Sequence, residues 1–153
     1  MSDRTEPEGV APLSDEDSVA VKKFGEAAKA GFQVVPDILL KSQKKLGISH
    51  VEMVVLLNIL MHWWTPGQNP YPRASTIAKR MKSSQRTVQR AIASLEDKVI
   101  LRKVEVQGKT TFDPSPLVSK LEGLVKEDFH YQYRRDLHTG EKASNTEVDT
   151  EQC

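Results

Sequence analysis

The stretch Ser75–Lys98, STIAKRMKSSQRTVQRAIASLEDK, holds two helical patterns with three residues between them. In the first, about Ser75 to Met81, Ile77, Ala78 and Met81 share an apolar face. In the second, from Gln85 to about Lys98, Val88, Ala91, Ile92 and Leu95 recur at i, i+3, i+4 and i+7. Lys82, Ser83 and Ser84 make the connection, and Ser84 is a good N-cap because its hydroxyl can accept from the free N–H groups of the next turn. RKVEVQGKTTF follows at once. Val104 and Val106 alternate with charged residues, Gln107-Gly108-Lys109 is a turn signal, and Phe112 lies on the return strand, so this segment is a β-hairpin. Two short helices, a tight turn and a hairpin make a helix-turn-helix with a wing. The expected fold is mainly α with one small β-hairpin, its recognition helix at about 84–98 and its wing at about 101–113.

Working outward, Ser49 caps HVEMVVLLNILMHWW, which is apolar on most of its circumference and is expected to be the buried central helix. TPGQNP, residues 65–70, is a dense turn signal that ends it. Upstream, Pro36-Asp37 opens a helix through about Leu46 that Gly47 closes, and FQVVP before it is a short extended piece. Ser14 to Asp17 matches a capping box ahead of a helix that stops at Gly31. Downstream, Pro114 and Pro116 end the hairpin, and PLVSKLEGLVKED forms a last helix with Leu117, Leu121, Leu124 and Val125 on one side. The organisation expected is a disordered acidic tail at 1–13, a winged helix-turn-helix domain with flanking helices at 14–135, and a second disordered acidic tail at 136–153.

The formal net charge is only +1 over 153 residues, which taken alone argues against a nucleic-acid partner. Its distribution reverses that. Residues 1–20 carry six acids and one base, a net of −5, and residues 136–153 carry five acids and one base, a net of −4. Residues 71–109 carry ten bases and three acids, a net of +7, with no acid from Lys79 to Arg90. Acidic ends mask a basic middle.

A basic, polar helix face suits the B-DNA major groove, whose width accepts an α-helix. The residues expected to read base edges are Ser84, Gln85, Arg86, Thr87, Gln89 and Arg90. Arg can pair bidentately with guanine O6 and N7 and Gln with adenine N6 and N7. Arg73, Ser75, Thr76, Lys79, Arg80, Lys82 and Ser83 are expected at phosphates, and Gln107 and Lys109 on the wing at an adjacent backbone or minor groove.

The segment MHWWTPGQNPYPRASTIAKRMKSSQRTVQRAIASLEDKVILRK resembles the winged helix-turn-helix proteins of bacteria, phages and plasmids, related to MarR-type regulators and replication-initiator modules. The resemblance covers about Gly31 to Leu121. It implies that Gln85, Arg86, Thr87, Gln89 and Arg90 occupy base-reading positions and that Val104 to Phe112 is the wing. The chain departs from the family pattern at three places. Arg73 stands where a capping Ser is usual, so either Ser75 caps the helix or Arg73 serves a phosphate. Lys82 and Val99 stand where glycine ends a helix, so those ends are expected to take another geometry.

Other features point elsewhere or nowhere. Trp63, Trp64 and Tyr71 could form a stacking platform for single strands, but aromatics ending an apolar helix are expected in the core. Phe129, Tyr131 and Tyr133 alternate as a docking strand would, although a continuation of the last helix or a frayed end is the preferred reading. The four histidines lack metal-ligand spacing, and Cys153 is the one cysteine, so no metal, cofactor or internal disulfide is expected. No Gly-rich phosphate loop or convergent catalytic group is visible, so no enzyme is expected. The apolar run Val51–Trp64 is 14 residues with Glu52 inside it, too short to span a bilayer, and the N-terminus lacks signal-peptide character. The expectation is a cytoplasmic, nucleoid-associated, homodimeric regulator binding double-stranded DNA in a sequence-specific way, a repressor or autoregulator of a bacterial or mobile-element locus. A plasmid or phage replication or partition initiator stays open, as does a protein-interaction adaptor.

Overall fold

The computed structural model describes residues 19–146, with side chains described through Leu137. The expected N-terminal tail, the capping box at Ser14 and the segment 147–153 lie outside the described residues. In chain order the elements are α1 (Val19–Phe24), α2 (Glu26–Lys29), α3 (Asp37–Lys41), α4 (Gln43–Leu46), α5 (His50–Leu60), α6 (Ala74–Met81), α7 (Gln85–Asp97), β1 (Arg102–Val106), β2 (Lys109–Asp113), α8 (Ser115–Val125) and α9 (Phe129–Thr146). This is a mostly helical fold with one antiparallel hairpin, the winged helix-turn-helix architecture.

The core forms where α5 and α6 each pack on α7. Val55, Leu56 and Ile59 from α5 meet Ile77 of α6 and Val88, Ile92 and Leu95 of α7, all buried, with Leu39, Ile100, Phe112 and Leu117 closing the cluster. Each such side chain contributes on the order of 1.5–3 kcal/mol by leaving water. The burial of α5 is one-sided, however. Val51, Val54 and Met61 remain exposed because no described element covers that face.

Three helices, α4, α6 and α7, end alike. Gly47, Lys82 and Val99 all take left-handed backbone, with φ of 69°, 49° and 56°. In each, paired backbone bonds close a Schellman motif: Ile48 to Gln43 and Gly47 to Lys44, Ser83 to Ala78 and Lys82 to Lys79, Ile100 to Leu95 and Val99 to Glu96. The expectation that Lys82 and Val99 impose another geometry is therefore corrected. Burial of Ile100 directly after Val99 holds the chain in this turn, against roughly 1–2 kcal/mol of left-handed cost at a residue carrying a Cβ.

At the other helix ends the side chains matter more. Ser49 and Glu52 form a full capping box at the start of α5. At α6 the N-cap position is Arg73, with no side-chain cap bond, and Ser75 lies inside the first turn, so Ser75 does not cap the helix. The expected helix from Pro36 breaks at Ser42 into α3 and α4, and the expected N-terminal helix breaks at Gly25, whose φ is 58°. Phe24 then sits exposed and not in an apolar stripe.

The wing pairs Arg102 with Asp113 through Val106 with Lys109, and Gln107 and Gly108 both take positive φ, the two-residue turn that matches strand twist. Phe112 N–H donates to Pro70 O at 2.8 Å, which ties the wing to the loop after α5. Asp113 accepts from Ser115 N and Oγ and from Arg102, joining the wing to the start of α8. The apolar stripe of α8, Leu117 and Leu121, packs back toward α3. Asp128 accepts from His130 N and Tyr131 N and opens α9, a helix that continues through Thr146. The first eleven residues of the stretch read as an acidic tail are thus helical, because Asp128 supplies the cap that starts the helix.

Candidate nucleic-acid interface

The second helix of the motif, α7, begins at a well-made cap. Ser84 Oγ accepts from Thr87 N at 3.1 Å and lies 2.8 Å from Thr87 Oγ1, so both hydroxyls are engaged with each other at the helix start. Beyond them Gln85, Arg86, Gln89 and Arg90 all lie exposed, Arg86 and Arg90 on the side away from Val88, Ile92 and Leu95 and Gln89 at its edge, where it lines a cleft with Ile92. Among the described residues Arg86, Arg90, Lys79 and Lys82 take part in no ion pair. These cations are not balanced by any neighbouring carboxylate, and a polyanion can approach them without displacing one.

The bracing helix α6 divides its polar residues between two sides. Lys79 is exposed and lies outside the cleft between α6 and the wing, and Lys82 and the half-buried Ser83 lie in the turn that leads into α7. Arg80 instead turns toward the end of α5, its Nη1 3.0 Å from His62 Nε2. Burial and then the Arg80 charge hold His62 below the usual histidine range, which suits a neutral ring accepting at Nε2. Arg73 and Thr76 face a cleft of about 760 Å³ between α6, Gln89 of α7 and the wing. Lys109 reaches into the same cleft with its Nζ 5.6 Å from the Tyr71 ring, a cation–π arrangement. Gln107 sits exposed at the tip of the wing turn. Ser75 lies half-buried in the first turn of α6.

Residues 46–101 match the family described as a helix-turn-helix domain. In fold, that segment is a helix-turn-helix. The match stops at Leu101, just before the wing begins at Arg102. Among solved structures, the chain is similar to the N-terminal domain of DnaD protein from Geobacillus kaustophilus HTA426, at 28% identity and a TM-score of 0.50, over 78% of this chain and 96% of that one. No curated protein matches the chain.

The structure brings the expected base-reading residues of this helix-turn-helix domain onto one face and separates the expected phosphate residues into two groups. Lys79, Lys82 and Ser83 lie outside the cleft, whereas Arg73, Thr76 and Arg80 join the wing's Lys109 around it. Two cleft residues went unforeseen, His62 and Lys103, and two others, Trp64 and Tyr71, belong to the stacking-platform pattern that the sequence reading weighs and sets aside as core. Lys103 could have been found, since the strand alternation that turns Val104 inward turns its neighbours outward. Placing Trp64 and Tyr71 in the core is corrected, since they are 44% and 57% exposed. The reason is that α5 ends at Leu60, so Trp64 belongs to a loop, where its Nε1–H donates to Met61 O and leaves the ring open.

Proposed function

We propose that this chain is a sequence-specific double-stranded-DNA-binding protein that inserts α7 into the major groove. The observation that carries the reading is the exposed, acid-free face of Gln85, Arg86, Gln89 and Arg90 above a capped helix start. Lys79, Lys82 and Ser83 would neutralise phosphates beside the groove, and Arg73, Ser75, Thr76 and Arg80, with Gln107 and Lys109 of the wing, would grip the flanking backbone. The role is non-enzymatic and cytoplasmic, on the nucleoid.

Two outcomes of such binding remain distinct. A transcriptional repressor or autoregulator would act by occluding its operator. A replication initiator would position itself at an origin, and the likeness to a DnaD N-terminal domain supports this second reading. In vitro selection of bound duplexes separates them, since an inverted repeat about one DNA turn across fits a two-fold regulator and direct repeats fit an initiator.

The protein acts as a homodimer in this reading. Phe129, Tyr133 and Leu137 repeat at i, i+4 and i+8 on α9, each more than half exposed, and Phe129 stacks on Tyr133 at 6.2 Å. Such a stripe is covered by an identical one across a two-fold axis. Salt titration of duplex binding tests the core proposal: neutralising Z phosphates gives a log–log slope near −0.9Z. Absence of duplex binding at low salt would overturn it in favour of a protein-interaction adaptor.

A further inference from the structure

We propose that the cleft between the wing and α6, whose Arg73, Arg80 and Lys109 the proposed function places at duplex phosphates, also binds an unpaired DNA strand, through aromatic rings that the duplex contacts do not use. Its volume of about 760 Å³ is that of a ligand site and not of a duplex-wide groove. Arg73 and Arg80 line one wall and Lys103 and Lys109 the other, and no carboxylate residue lines it. Lys109 lies over Tyr71, which positions its ammonium in the cleft, while Lys103 lines the same wall and also pairs with Glu96 at 3.6 Å. Between the cations stand two exposed aromatic rings, Trp64 and Tyr71. The indole of Trp64 is held by its bond to Met61 O and lies 6.0 Å from the His62 ring, tilted 40° to it, while 44% of the residue stays exposed.

A base-paired duplex cannot use these rings, because its base faces are already stacked on one another. An unpaired strand offers free base faces at intervals along a phosphate chain, and cations alternating with aromatics are the arrangement that binds it. Cations on both walls fit a run of phosphates better than the single phosphate group of a free nucleotide. Gln89 lines the cleft and also belongs to the exposed face of α7, so a strand parted from the bound duplex has a continuous path into it.

The test uses the full chain and fluorescence anisotropy with labelled dT12, which cannot pair with itself, beside a duplex of the selected sequence. Trp64→Ala and Tyr71→Ala are each expected to weaken dT12 binding about tenfold or more and to leave duplex binding within about twofold. Trp64→Phe and Tyr71→Phe are expected to retain dT12 binding, which separates lost stacking from lost folding. Arg73→Ala is expected to reduce the salt slope for dT12 by about 0.7. Arg86→Ala, outside the cleft, is expected to spare dT12 while weakening the duplex. Unchanged dT12 binding in both alanine variants, equal losses in the phenylalanine variants, or parallel loss of dT12 and duplex in Arg86→Ala would each overturn the proposal. So would tighter binding of U12 than of dT12, which would assign the cleft to RNA.

Discussion

Lys98 Nζ lies 2.7 Å from Glu52 Oε2 and joins the end of α7 to the first turn of α5. Ser94 Oγ donates to the other carboxylate oxygen, Ser49 N–H donates to Oε2, and Lys98 also donates to Gly47 O. One carboxylate therefore caps the central helix and anchors α7 at the end remote from Ser84. Both oxygens of the buried carboxylate have donors, as burial of a charge requires.

Removing one partner leaves the other inadequately solvated. Glu52→Ala is expected to lower stability by about 2–3 kcal/mol. Lys98→Ala is expected to cost less, about 1 kcal/mol, because a third of that side chain already meets water. Urea unfolding of the two single variants and the double variant checks this, with a coupling of at least about 0.5 kcal/mol expected between them.

Acid is expected to destabilise the fold in two windows. Burial alone would raise the Glu52 pKa, but the bonds from Lys98, Ser94 and Ser49 and the Lys98 charge hold it below its ordinary 4.5. Asp113 is held below 3.8 by Ser115 and Arg102. Groups depressed in the folded state add stability that is present above their unfolded values and is lost as pH falls through the folded ones. His62 lies below its ordinary 6.5, so the unfolded chain takes up that proton first and stability also declines as pH falls from about that value. Thermal melts across pH 3–8 should show both limbs. Glu52→Gln should flatten the lower limb, and His62→Gln the upper.

Val99→Gly is expected to stabilise the protein. Val99 is exposed, β-branched and left-handed at φ 56°, so the substitution removes strain and little packing. After the entropic cost of glycine, the net gain is about 0.5–1 kcal/mol. Val99→Ala keeps a Cβ and should bring no comparable gain, which calorimetry of the two variants would reveal.

Base reading and phosphate grip are expected to come apart under mutation. Arg86→Ala and Arg90→Ala should each cost about 1–3 kcal/mol on the selected duplex and relax base preference. Lys82→Ala should weaken all duplexes alike and reduce the salt slope by about 1. Competition with single-base variants of the site distinguishes the two patterns, and uniform losses for all three substitutions would contradict these roles.

A test of the α9 stripe is the oligomeric state. Tyr133→Glu places a charge on the proposed two-fold contact and is expected to yield a monomer with unchanged helicity, measured by sedimentation and circular dichroism. An unaltered mass would remove α9 from the interface.

What the sequence determined by itself is whatever depends on neighbours within one or two turns. The apolar spacing of Val88, Ala91, Ile92 and Leu95 set the inner face of α7, Ser49 and Ser84 marked two helix starts, and Gln107-Gly108 marked the wing turn. The outward basic face followed, because a side chain opposite a buried stripe has nowhere else to go. Tertiary structure alone decided the rest. Glu52 and Lys98 are 46 residues apart and meet only after α5 and α7 pack. Lys82 and Val99 accept left-handed backbone because the packed helices and a buried Ile100 define the turn around them. Trp64 and Tyr71 carry an apolar signature that reads as core, yet whether a ring is covered depends on what lies above it. Here the wing, anchored through Phe112 and Pro70, stands across a cleft from them and leaves the rings open.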